Sequence, residues 1–217
     1  MPDPRPLALN DDSGFGMELI RQRLSLPLRR SSTLESAVIA VAPEVEHPVQ
    51  RRAAVSVILR GPEPEILFIR RAEHPNDPWS GHMAFPGGRE EPGDGTLLNT
   101  AIRETREELS LDLEASARLI GRLDELPAVA RGKRTGLTIS PYVFEVLEGS
   151  ETTLRGNYEV AETVWTPLEP LFRGQSATKF PYELAGNRVE LPAHDVGGRI
   201  VWGLTHRMLE MLFAQLR

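Results

Sequence analysis

The sequence predicts a mixed α and β domain, and three features carry that expectation. An apolar, β-branched run, Ala53 to Leu59, is followed by Gly61-Pro62 and a second run, Glu65 to Arg70, which together read as a strand hairpin. A glycine- and proline-rich stretch, His74 to Gly95, leads into the clearest helix, roughly Leu97 to Ser110. A second amphipathic helix stands last, Leu204 to Leu216, with Met208, Leu209, Met211, Leu212 and Leu216 on one face.

Between these landmarks, strands are expected around Leu119 to Leu123, Ser140 to Leu147 and Glu162 to Thr166, with a short helical turn over Leu168 to Phe172. The 217 residues suit one domain with an extension, divided here into a tail, helix and connector over 1–50 and a main domain over 51–217. Residues 1–12 are polar with three prolines and read as a tail. Met17 to Leu26 partly follows a helical period that Pro27 ends, and Pro43 and Pro48 break the connector over 31–50. The apolar helices at the two ends pack on the domain or against a second copy, and a homodimer is expected.

Composition excludes several functions. The formal net charge of -6 disfavours sequence-independent nucleic-acid binding, although a metal ion and a few arginines can reverse the potential within one pocket. No run is apolar enough for a signal peptide or a membrane span, so a cytoplasmic protein without a membrane partner is expected. With no cysteine, disulfides, thiolate zinc sites and cysteine nucleophiles are excluded. His74, His82, His194 and His206 share no spacing that suggests a zinc site, and they read as structural.

The chemistry gathers on the first long helix. At about 100° per residue, Leu98, Ala101, Ile102, Thr105 and Leu109 form its buried face, and Glu104, Glu107 and Glu108 share a separate arc. Like charges at this spacing repel by a few tenths of a kcal/mol, a repulsion that a divalent cation removes. Mg²⁺ and Mn²⁺ favour such oxygen ligands. Arg103, at i, i+4 from Glu107, is placed to orient a ligand. An ordinary solvated helix has a similar composition, but here Phe85-Pro86-Gly87-Gly88 precedes it with backbone open to close approach.

These residues resemble the Nudix hydrolase signature, G-x(5)-E-x(7)-R-E-U-x-E-E-x-G-U with U apolar. Gly88 matches the first glycine, and Arg103 to Glu108 match the R-E-U-x-E-E core. One residue is inserted before Arg103, Asp94 stands for the first glutamate, Thr105 for the apolar U and Ser110 for the last glycine. Leu67 to Arg71, Gly81, Phe85 to Gly88 and Ile200 to Thr205 resemble the coenzyme A pyrophosphatase branch of that family, except that Asn76 or Asp77 stands where the branch usually has an arginine.

The resemblance implies an α/β/α sandwich, a mixed sheet flanked by helices. It also implies Mg²⁺- or Mn²⁺-dependent cleavage of a diphosphate in a small nucleotide derivative. Coenzyme A or acyl-coenzyme A is the first expected substrate. ADP-ribose, a nucleotide sugar or NADH is the alternative, suggested by Pro127. A non-enzymatic nucleotide sensor is the alternative of another class, which loss of the glutamates would have favoured. The candidate metal ligands are Glu104, Glu107, Glu108 and Gly88, with Asp94 assisting. The candidate catalytic residues are Glu104, Glu107 and Arg103. Candidate substrate contacts are Arg70, Arg71, Phe85, Gly87 and Arg134, each with an exposed or structural role as its competitor; Arg131, Lys133 and Trp79 carry the same two readings.

Overall fold

Gly61, at φ +78°, makes the turn that joins β1 (Arg51–Arg60) to β2 (Glu65–Arg71). The two strands pair at that turn, Leu59 with Ile66 and Arg60 with Glu65, and then part. The segment that follows enters the gap: β3 (Met83–Ala84) pairs with β2, and β4 (Gly87–Arg89) pairs with β1. The expected hairpin is therefore present at its turn and splayed beyond it. The stretch expected as a loop over 74–95 contains these two strands, which satisfy part of its backbone.

The computed structural model describes residues 15–25, 51–75, 79–130, 133–150, 153–184 and 186–217; the expected tail and connector lie outside them. The other strands of the main sheet are β5 (Ala117–Arg122), β6 (Leu126–Ala130), β7 (Lys133–Val146) and β8 (Val160–Pro167). Its order is β3-β2-β1-β7-β5, with β4 on β1, β6 on β7 and β8 on β2. The β1–β7 pair is parallel and the other pairs are antiparallel, so the sheet is mixed.

The alternation of side chains across β1 and β2 decides what covers each face. Val55, Val57, Leu59, Ile66 and Phe68 enter a core cluster with Met17, Ile20 and Leu24 of α1 (Met17–Leu24) and with Leu209, Leu212 and Phe213 of α5 (Gly203–Leu216). Ile58, Leu67 and Ile69 point the other way, towards Leu109 of α2 (Leu97–Leu109) and Leu113 of α3 (Leu113–Ser116). Helices thus lie on both faces, the expected α/β/α sandwich. The apolar faces of both end helices pack into this core. Arg21 also fastens α1 to β7, reaching Glu145 at 2.6 and 2.9 Å.

After α4 (Leu168–Phe172) the chain forms a second sheet that the sequence reading did not anticipate. It comprises β9 (Ala177–Leu184), β10 (Asn187–Val196) and β11 (Arg199–Trp202), in the order β11-β10-β9. Gly186 and Gly197-Gly198 are hairpin signals at its two turns. Pro181 and Pro192, inside the strands, obscure them. The sheet touches the main domain through the His82–Trp202 ring contact, 4.7 Å between centroids, and α5 joins it there, Thr205 Oγ1 donating to the Met83 carbonyl at 2.9 Å.

One departure from the family signature has a conformational reading. Ser110 caps α2 at φ +56°, the left-handed conformation in which a side chain costs about 1–2 kcal/mol and glycine does not. Ser110→Gly should therefore raise stability by about 1 kcal/mol, seen as a higher urea midpoint at unchanged slope. An unchanged or lower midpoint would mean that the hydroxyl's contact with the Arg155 carbonyl, at 3.4 Å, is worth more than the strain.

Candidate active site

Thr96 starts α2, its hydroxyl accepting the Asn99 amide at 3.1 Å. On the expected buried face Ala101, Thr105 and Leu109 are fully covered, while Leu98 and Ile102 are half-buried. Thr105 is accommodated by Ser56 of β1: its hydroxyl lies 2.8 Å from both the Ser56 hydroxyl and the Ala101 carbonyl, so the polar substitution has partners. The helical wheel does not foresee the burial of one glutamate. Glu108 is buried, because its carboxylate reaches β4 and accepts the Gly87 amide at 2.9 Å.

The two glycines make this approach possible. A Cβ on Gly88 would lie 2.4 Å from Glu104 Oε1, so the glycine backbone and that carboxylate are in direct contact. At Gly87, φ is +151°, and a Cβ would lie 2.3 Å from the Ala54 carbonyl of β1. Any side chain at either position would displace the carboxylate or the strand pairing.

Arg103 organises the polar face. It grips Asp94 with two bonds, Nε to Oδ1 at 2.8 Å and an η nitrogen to Oδ2 at 3.0 Å, and donates to the Arg89 carbonyl at 3.0 Å. Its other η nitrogen reaches Glu104 and Glu107, each at 3.1 Å. Asp94 also accepts the Thr100 hydroxyl at 2.7 Å and the Glu91 amide at 2.9 Å. These bonds, led by Arg103, hold the Asp94 carboxyl well below the usual range. Asp94 thus anchors Arg103, with both of its oxygens hydrogen-bonded.

Burial governs the two carboxylates that meet the glycines. Burial pushes Glu108 up to about 8, the Gly87 amide and the charge of Arg71 opposing it and the charges of Glu104 and Glu159 adding to it. Burial also raises Glu104, against the pull of Arg103. Glu107 is the exposed member, with 55% of its side chain accessible. Glu159 was absent from the sequence reading, since it precedes β8 outside any helical pattern. The 153–159 loop docks on the end of α2, the Arg155 and Asn157 amides donating to the Leu109 and Glu108 carbonyls at 2.9 Å each, and this brings Glu159 to the cluster.

A cavity of about 1920 Å³ runs from Gly88, Glu104 and Glu108 to the small sheet and α5. Arg71 lies on its wall, and Phe85 borders it while stacking on Phe68 at 5.3 Å. Trp79 packs against the core beside it. Arg70 turns to Glu162 at 3.4 Å, a carboxylate that Arg199 Nε also holds at 2.9 Å. Arg134 lies opposite Val129 in the β6–β7 pair; its side chain, like Arg131, lies outside the described residues. On the wall of the same cavity His194, His206 and Glu210 form a cluster capable of coordinating a divalent metal.

Carboxylate oxygens beside a glycine backbone fit a hard divalent ion such as Mg²⁺ or Mn²⁺. Sandwich and carboxylate helix together define a hydrolase of phosphoanhydride bonds. Residues 50–184 match the NUDIX domain, and the chain belongs to the Nudix family. It is 29% identical over 177 residues to an uncharacterized Nudix hydrolase, NudL, of Yersinia pestis (strain Pestoides F), covering 76% of this chain and 80% of that one. Similar solved structures include a C. elegans Ap4A hydrolase binary complex, at 23% identity and TM-score 0.46 over 57% of this chain and 84% of that one. Another is the NUDIX domain of Shewanella oneidensis NrtR complexed with ADP ribose, at 17% identity and TM-score 0.42 over 64% and 86%.

The proton held by Glu108 has a measurable consequence. The unfolded chain releases it near the ordinary value of 4.5 and the folded chain near 8, so the metal-free protein loses stability as pH rises between those values. An ion at this carboxylate displaces the proton. Mn²⁺ affinity, measured by calorimetry, should therefore climb by up to about tenfold per pH unit from pH 6 to 8 and level off above. A flat profile would show that Glu108 is ionised throughout or takes no part in binding.

Proposed function

We propose that the chain cleaves the diphosphate of a small nucleotide derivative with Mg²⁺ or Mn²⁺ held by Glu104 and Glu108. The observation that carries this reading is the seating of those two carboxylates against Gly87 and Gly88, one buried and one half-buried, at the wall of a large cavity. When bound, the ion neutralises charge on the phosphoryl oxygens and lowers the pKa of water. Gly88 offers a backbone carbonyl to the same ion. Arg103, fixed by Asp94, holds Glu104 and Glu107 in register for this work. Glu107, exposed at the cavity, takes a proton from the attacking water or helps to hold a second ion. Glu159 is the competing proton acceptor, since it lies on the same wall.

The substrate range is that of ADP-ribose, nucleotide sugars and NADH, with coenzyme A as the more specific reading. Coenzyme A is favoured by the resemblance of Phe85 to Gly88 and Ile200 to Thr205, and these two segments lie together: Thr205 bonds to Met83 and Trp202 contacts His82. Arg71 is one of several arginines on the cavity wall and the candidate contact for a substrate phosphate. Pro127, half-buried on β6, is the feature that speaks for ADP-ribose.

Incubation with coenzyme A, ADP-ribose, NADH and a UDP-sugar, each with Mg²⁺ or Mn²⁺, followed by mass spectrometry, separates these readings. Release of 3′,5′-ADP and 4′-phosphopantetheine is expected if coenzyme A is the substrate, and AMP with ribose 5-phosphate if ADP-ribose is. Glu104→Gln should lower turnover by about a hundredfold or more. Near-normal turnover in that variant would overturn the assignment.

A further inference from the structure

We propose that His194, His206 and Glu210 form a zinc site, separate from the carboxylates of α2, that ties the small sheet to the C-terminal helix. One ring nitrogen of each histidine and a Glu210 carboxylate oxygen all lie within 4.8 Å of one another. His206 and Glu210 are one turn apart on α5, and His194 comes from β10, so the cluster bridges two elements. The two imidazoles stack with centroids 5.2 Å apart and planes inclined by 25°.

The unused ring nitrogen of His194 makes the arrangement more than a chance grouping. His194 is 3% exposed, and its Nδ1 is occupied by the Ser176 hydroxyl at 2.9 Å. Its Nε2 is buried and has no hydrogen-bond partner. A buried polar atom left without a partner costs about 1–3 kcal/mol, which a metal–nitrogen bond removes. The Ser176 contact fixes the ring, as a hydrogen-bonded neighbour does for a metal-bound histidine. Glu210 makes a long ion pair with Arg217 at 3.7 Å, beyond hydrogen-bond distance, which a metal ion would displace.

The donor set selects the metal. Two imidazoles and one carboxylate suit Zn²⁺, whereas Mg²⁺ prefers oxygen ligands alone. Around a tetrahedral zinc with bonds of about 2.0–2.1 Å, ligand atoms stand about 3.4 Å apart, so a small closure of the three side chains completes the shell. The fourth position opens to the cavity, which His194, His206 and Glu210 all line, and water fills it. Bound in this way, zinc holds β10 against α5 on the wall of the cavity.

The test uses chelator-stripped full-length protein carrying Glu104→Gln and Glu108→Gln, so that zinc cannot occupy the α2 carboxylates. Calorimetric titration with Zn²⁺ in a large excess of Mg²⁺ should give one equivalent per chain and a higher melting temperature. Adding His206→Gln or Glu210→Gln should weaken binding at least about tenfold and abolish the melting shift. Circular dichroism checks that each variant is folded, and Glu210→Gln serves if the histidine variant is not. Absence of saturable binding, or binding unchanged by both added substitutions, would overturn the proposal.

Discussion

The site depends on a carboxylate whose burial outweighs the positive charge of Arg71 beside it. Glu108 lies under β4, bonded to the Gly87 amide and beside the charges of Glu104 and Glu159. Holding it ionised at neutral pH in the metal-free protein costs about 1 kcal/mol. A divalent ion relieves that cost, so the binding free energy of the metal is coupled to the packing of α2 on the sheet. Gly88 follows from the same crowding, since a Cβ there would meet the Glu104 carboxylate, whereas a Cβ on Gly87 would meet β1.

The sheet supplies the place for this contact by parting β1 from β2. β3 and β4 enter between them, which sets the glycine backbone opposite α2 while β1 still pairs with β7 on its other edge. The Asp94–Arg103 pair then fixes the polar face of the helix. Its effect is directional, since Arg103 aims Glu104 and Glu107 at the cavity. The far wall of that cavity comes from the small sheet and α5, where the histidine pair lies.

What the sequence made legible was local. The strand runs of β1 and β2, the period of α2 and the Glu104–Glu108 spacing are each set by neighbours within a few residues, and the structure reproduces them. A wheel gives the angle of Glu108 but not what lies above it, so its burial was hidden. Glu159 reaches the cluster only because its loop caps α2. His194 and His206 share no motif spacing, and strand and helix bring them together through long-range packing. Asp94 matched the family's acidic position in type, while its bonds to Arg103 and Thr100 give it an anchoring role.

The most direct test of the central claim is the position of a bound metal. Anomalous diffraction from crystals soaked in Mn²⁺ should give a peak touching Glu104 and Glu108 beside Gly88. Mn²⁺ absent there and present only at other carboxylates, such as Glu73 or Glu91 on the same cavity wall, would contradict the account.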